Sequence, residues 1–227
     1  MSILADSPVF TIVDFDRTLA DTDKLNEVFF AIVEQYDIVS RADLEKADAD
    51  VKLSGDSFDT AGYVRETLLA AGRGADWSRM EKQFIHESRA LNMLLPGAAE
   101  LLAMLAERNA LYGILTYGNP LWQHLKLAAA GFNHVPRIVM THKEKGRLVS
   151  SWQQSDGSFT LPNEFGGGTV DAIMMIDDKA VSFVDYPGMP SYGYWVLDPA
   201  RELPSQQGSV PANIVRVPDL AAVITDL

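Results

Sequence analysis

Residues 9–21 read Val9-Phe10-Thr11-Ile12-Val13-Asp14-Phe15-Asp16-Arg17-Thr18-Leu19-Ala20-Asp21. Val9 to Val13 is uncharged and rich in β-branched and aromatic side chains, the pattern of a strand buried on both faces. It stops at Asp14, Phe15 and Asp16. Successive strand residues alternate sides, so two aspartates two apart are expected to point the same way, just past the carboxyl end of a buried strand. In open α/β sheets ligands bind at that edge. Two like charges so close repel, and a bound cation is one remedy.

Two further strand ends carry polar groups. Leu111 to Leu115 is a short apolar strand that runs into Thr116-Tyr117-Gly118-Asn119-Pro120. Asn119 is suited to cap a helix whose first residue is Pro120, and that helix is expected to run to Ala130 and stop at Gly131. A strand-end hydroxyl and backbone N–H groups beside a helix N-terminus make an anion site. Ala172 to Ile176 is a second uncharged strand that ends in acids, Asp177-Asp178-Lys179. Side by side with the first, it would bring Asp14, Asp16, Asp177 and Asp178 together, an all-oxygen set that suits Mg2+. Arg137 to Thr141 reads as a strand before His142-Lys143-Glu144-Lys145-Gly146, and Gly193 to Leu197 and Ile214 to Val217 as two more. Leu220 to Leu227 reads as a final helix. Ser155 to Thr169, with Gly166-Gly167-Gly168, reads as a flexible loop or hairpin; it lacks the Lys-Ser/Thr of a phosphate-binding loop.

Between Asp21 and Leu94 no strand-like run occurs. Leu25, Val28, Phe29, Ile32, Val33 and Tyr36 fall at helical spacing, as do Tyr63, Val64, Thr67, Leu68 and Ala71, and then Trp77, Met80, Phe84 and Leu91. Arg41 to Leu53 adds a helix with a weak apolar stripe, and Ser78 with Glu81 suggests a capping box for the last of the four. Leu95-Pro96-Gly97 breaks the pattern and marks the boundary. The expected organisation is an α/β core, residues 1–21 and 96–227, interrupted by a helical insert at 22–95, a plausible size for a small domain.

Composition narrows the function. The 227 residues include no cysteine, which excludes disulfides and thiolate metal sites and suits a reducing, cytoplasmic setting. Met1 to Ser7 has no basic n-region, and no apolar run approaches the ~20 residues of a spanning helix. The net charge of −12 disfavours nucleic acid and anionic membrane as partners. An anionic substrate therefore needs local positive charge, from a metal or a lysine.

Asp14-Phe15-Asp16-Arg17-Thr18-Leu19 resembles the first motif of the haloacid dehalogenase-like (HAD) hydrolase superfamily. Thr116, Lys145 and Asp177-Asp178 follow in the order of its second, third and fourth motifs, and the insert takes the place of a helical (C1-type) cap. Arg17 stands where many members have Gly, Tyr117 where many have Asn, and the stretch between the third and fourth motifs is long. The resemblance implies a Rossmann-like core with a parallel sheet flanked by helices, and an Mg2+-dependent phosphatase acting on a small phosphorylated metabolite. In that reading Asp14 is the nucleophile and Asp16 the general acid/base; the dehalogenase branch lacks the second Asp. Thr116, the Tyr117 and Gly118 backbone and Lys145 would hold the phosphate. The metal would be held by Asp14, the Asp16 backbone carbonyl and Asp177, with Asp178 bound through water or orienting Lys145. Lys145 matches the motif lysine better than Lys143, the other candidate. A phosphomutase using the same aspartyl-phosphate, or a binding module that kept the fold, are the alternatives. Arg65 and the Ser54 to Phe58 loop are candidates for cap residues that face the substrate.

Overall fold

The computed structural model describes residues 8–53, 57–198, 200, 203 and 206–227, and of residue 52 the backbone alone. Met1 to Ser7 and most of the Ser54 to Phe58 loop therefore lie outside the described residues.

The chain opens with β1 (Val9–Val13) and then makes four helices, α1 (Thr22–Gln35), α2 (Arg41–Leu53), α3 (Thr60–Ala70) and α4 (Gly74–Ala90). It returns through α5 (Ala98–Glu107), β2 (Leu111–Tyr117), α6 (Pro120–Ala129), β3 (Arg137–Met140) and α7 (Lys145–Ser150). A hairpin of β4 (Phe159–Thr160) and β5 (Thr169–Val170) leads into β6 (Ala172–Asp177), β7 (Tyr192–Val196), β8 (Ile214–Val217) and α8 (Leu220–Asp226). Six strands form one sheet in the order β3-β2-β1-β6-β7-β8, every neighbouring pair parallel. The order reverses between β1 and β6, and a crevice opens at such a switch point, outside the carboxyl ends of the strands. Val13 lies opposite Ile176, so Asp14 and Asp177 leave the sheet at the same level.

Alternation along β1 divides the core in two. Phe10 and Ile12 join Leu115, Ile173, Met175 and Trp195 on one face. Val13 joins Ile114, Ile176 and the buried faces of α5, α6 and α8 on the other. The second cluster runs on without a break into the helical insert through Leu25, Phe29, Val64, Met80 and Phe84. At the junction, the rings of Phe29 and Phe84 lie 4.7 and 5.7 Å from that of Trp122 on α6.

Three local expectations are refined or corrected. The hairpin reading of Ser155 to Thr169 holds, but the segment is packed rather than flexible: the β4–β5 hairpin and a 3-10 turn at Asn163–Phe165 lay Phe159, Leu161 and Phe165 into the first cluster. Ser78 does not cap α4, which begins a turn earlier at Gly74 behind an Arg73 N-cap. Asn119 takes the N-cap position of α6 but makes no side-chain cap; its Nδ2 donates instead to the Ser57 carbonyl at 2.6 Å.

Candidate active site

Three carboxylates meet at the switch point. Asp14 follows β1, Asp177 ends β6 and Asp178 follows it, all three are buried, and one oxygen of each lies within 4.8 Å of the others. Lys145 reaches them from the first turn of α7, its Nζ bonded to Asp14 Oδ1 and 2.6 Å from Asp177 Oδ2. Gly146 makes this reach possible: a Cβ there would run into the Val184 carbonyl, so only glycine lets α7 pack so close. Lys145 is thus the lysine at the acids, while Lys143 lies over the Tyr117 ring at 5.7 Å. Thr18 Oγ1 donates to Asp14 Oδ2 at 3.1 Å, and the Lys179 N–H to Asp177 Oδ1 at 2.8 Å. Gln206 Nε2 donates to Asp178 Oδ2 at 2.8 Å. Asp178 therefore turns toward Gln206, and Asp14 and Asp177, not Asp178, orient Lys145.

Burial pushes the Asp14 carboxyl above its ordinary range; Lys145 opposes the shift and Asp177 adds to it. Burial likewise lifts Asp178, to about 7, partly offset by Lys179. Lys145 is burdened by its own burial, yet Asp14 and Asp177 hold its ammonium firmly charged. Two polar atoms have no hydrogen-bond partner here: the fully buried Thr116 hydroxyl at the end of β2, and Asp178 Oδ1. Orphaned buried groups carry a cost that a ligand can remove. Three hard oxygen donors, one of them without a hydrogen bond and 3.8 Å from the Lys179 ammonium, fit a divalent cation such as Mg2+.

Asp16 does not join this cluster. The strand ends at Val13, alternation ends with it, and Arg17 turns the chain at φ 64°. The Asp16 carboxylate instead faces α6 and the start of α1. Lys126 Nζ bonds Oδ1, Thr22 Oγ1 donates to Oδ1 at 2.8 Å, and Gln123 Nε2 donates to Oδ2 at 2.6 Å. Burial raises the Asp16 carboxyl, but Lys126, Gln123 and Thr22 together outweigh it and hold the group below its ordinary range.

The anion site is also smaller than expected. β2 runs on to Tyr117, so the ladder takes the Gly118 N–H, which donates to the Met140 carbonyl at 2.9 Å and is not free for a phosphate. Arg65 pairs with its neighbour Glu66 on the exposed surface. A cavity of about 650 Å3 lies alongside, lined in part by Arg17, Thr18, Asp21, Leu95 and Gln206. Asp14 and Asp177 do not line it; Thr18 and Gln206, which hold Asp14 and Asp178, connect it to the cluster.

Sequence reasoning missed Gln123, Lys126 and Gln206. The first two had a signal: Asn119, Trp122, Gln123 and Lys126 share one helix face at i, i+3, i+4 and i+7, directly after the Thr116 strand. Gln206 had none.

No family model matches the sequence, and no curated protein matches it significantly. Solved structures do match along nearly the whole chain. One, named as a haloacid dehalogenase-like hydrolase of Burkholderia xenovorans LB400, is similar at a TM-score of 0.65 and 18% identity, over 97% of this chain and 96% of that one. A second, named as a beta-phosphoglucomutase of Thermotoga maritima, gives 0.56 and 12%, over 96% and 99%. A dehalogenase with an intermediate complex gives 0.51 and 17%, over 99% of both chains. At these identities the likeness is one of architecture, and the chain has the fold of the haloacid dehalogenase-like hydrolases.

Proposed function

We propose that the protein is a phosphatase that hydrolyses a small phosphate monoester through an aspartyl-phosphate on Asp14. The observation that carries this reading is the pairing of Asp14 with the Lys145 ammonium, with an orphaned Thr116 hydroxyl at the end of the neighbouring strand β2. A carboxylate nucleophile, a fixed positive charge and an unsatisfied donor at the same sheet edge suit the attack on, and the oxygens of, a phosphoryl group. Asp16 separates phosphate esters from halides: a halide leaves without a proton, whereas an alkoxide needs one.

In the first step, which starts from the protonated form of Asp16, an Asp14 oxygen attacks phosphorus and the bond to the ester oxygen breaks, with Asp16 giving that oxygen its proton; Lys126, Gln123 and Thr22 favour the ionised form, so this protonated fraction is the minor one at rest. In the second, Asp16 takes a proton from water, the water oxygen attacks phosphorus, and the Asp14 carboxylate leaves. Lys145 and Thr116 hold the equatorial oxygens as charge redistributes. Asp14, Asp177 and Asp178 would hold Mg2+, which when bound supplies charge neutralisation for the phosphate dianion. The helices between β1 and α5 act in this reading as a cap that excludes water.

Hydrolysis of p-nitrophenyl phosphate, with and without Mg2+ and beside Asp14→Asn, tests the proposal. Turnover should require Mg2+ and fall on the order of 1,000-fold or more in the variant. Halide release from a short 2-haloacid, with no turnover of any phosphate ester, would instead identify a dehalogenase. A second reading draws on the burial of Asp14, at 3% exposure, which keeps water from the nucleophile: transfer of the phosphoryl group to a sugar hydroxyl. Activity that depends on a bisphosphate activator would favour it.

A further inference from the structure

Lys126 is buried at 3% exposure in the middle of α6, where an apolar residue would serve the core as well. Burying an ammonium is costly unless it is paired, and even a paired one is often no more stable than hydrocarbon. Its position is tightly defined. Nζ lies over two aromatic rings, 5.9 Å from the centroid of Phe15 and 5.7 Å from that of Trp122, and bonds Asp16 Oδ1. Gln123, one residue past Trp122 on the same face, fixes the other oxygen, and its Nε2 is itself anchored 2.6 Å from the Tyr117 carbonyl. Thr22, the first residue of α1, completes the set. Both oxygens of Asp16 are thereby held off the Asp14–Asp177–Asp178 cluster, to which Lys145 is hydrogen-bonded, while the Lys179 ammonium lies 3.8 Å from Asp178 Oδ1.

Resting on the phosphatase reading, we propose that Lys126 is a positioning residue for Asp16: with Gln123 it fixes the orientation of the acid/base carboxylate, aside from the acid cluster. It touches neither Asp14 nor the other acids and acts through Asp16 alone. Without it the Asp16 carboxylate loses its charged partner and rotates away from Gln123, toward solvent or toward Lys145.

The test is a double-mutant cycle on p-nitrophenyl phosphate turnover, joined to crystal structures of the same variants. Lys126→Met should lower kcat on the order of 10- to 100-fold, the cost of a misplaced catalytic group, with KM changed less than about 3-fold. Lys126→Arg should recover part of the loss. In an Asp16→Asn background Lys126→Met should cost nothing further, because there is no carboxylate to place; a lysine that merely supported the fold would cost both backgrounds equally, and that result would overturn the proposal. In the Lys126→Met crystal structure Asp16 should adopt a new side-chain rotamer. An unmoved Asp16 sinks the idea whether or not the wild-type protein hydrolyses phosphate, whereas absent wild-type turnover with a moved Asp16 sinks only the phosphatase reading. Lys126→Gln replaces the methionine variant if that one does not fold.

Discussion

At the scale of single residues, Asp14 and Asp16 show how little sequence distance says about chemical environment. They stand two apart, yet burial raises one carboxyl and Lys126 with its neighbours depresses the other. Asp178 extends the contrast, since its carboxyl is lifted from an ordinary 3.8 to about 7. A group raised on folding binds more protons in the native than in the unfolded state between those values, so its contribution is present below 3.8 and is lost as pH rises to about 7. Metal-free protein should therefore lose stability across that window, and Asp178→Asn should flatten the loss. Urea midpoints measured in a chelator at several pH values check this; identical slopes in both proteins would refute it. The residue types at this site were legible in the sequence as far as strand ends could carry them. Asp14, Thr116, Asp177 and Asp178 each sit at the end of an apolar run, and the run dictates where the side chain emerges. Asp16 was misread because it lies beyond the strand, where a turn at Arg17 and not the pleat sets direction.

At the scale of elements, α6 ties the molecule together. One face of this ten-residue helix bonds Ser57 through Asn119, sets Trp122 against the touching rings of Phe29 and Phe84, and supplies Gln123 and Lys126 to Asp16. Aromatic side chains of this kind carry large buried area together with edge and face preferences. Trp122→Ala should cost about 3–5 kcal/mol of stability, the usual range for deleting a buried aromatic. Chemical denaturation would read it; a loss below about 1 kcal/mol would mean that the insert is held to the core by other contacts. The elements themselves were legible where the apolar runs are distinct: β1 and β8 begin and end where those runs do, and α2 spans the expected residues despite its weak apolar stripe. The β4–β5 hairpin was one of two readings of its segment, and its strands could not be placed, because two-residue strands leave no periodic trace.

At the scale of the whole molecule, a sheet wound in two directions from β1 and β6 gathers acids that are 163 residues apart in sequence, Asp14 and Asp177, into one buried cluster. Such a cluster opposes folding until a cation compensates it. Added Mg2+ should raise the melting temperature, by about 2.7 kcal/mol of stability at 100 times its Kd, and Asp177→Asn should abolish the shift. Scanning calorimetry with a Mg2+ titration would show it, and an equal shift in both proteins would place the ion elsewhere.

The sequence by itself determined the order of the main strands and helices, the α/β class and which polar groups stand at strand ends, because hydrophobic period and punctuation are local properties, while the parallel sheet followed from the family resemblance of the motifs. Only the tertiary structure decided that Lys145 and not Lys143 reaches the acids, that the Gly118 amide belongs to the β2–β3 ladder, and that Asp16 answers to Lys126 across 110 residues. Those outcomes depend on how closely helices approach the sheet and on which donors are already taken, and neither quantity exists until distant segments pack.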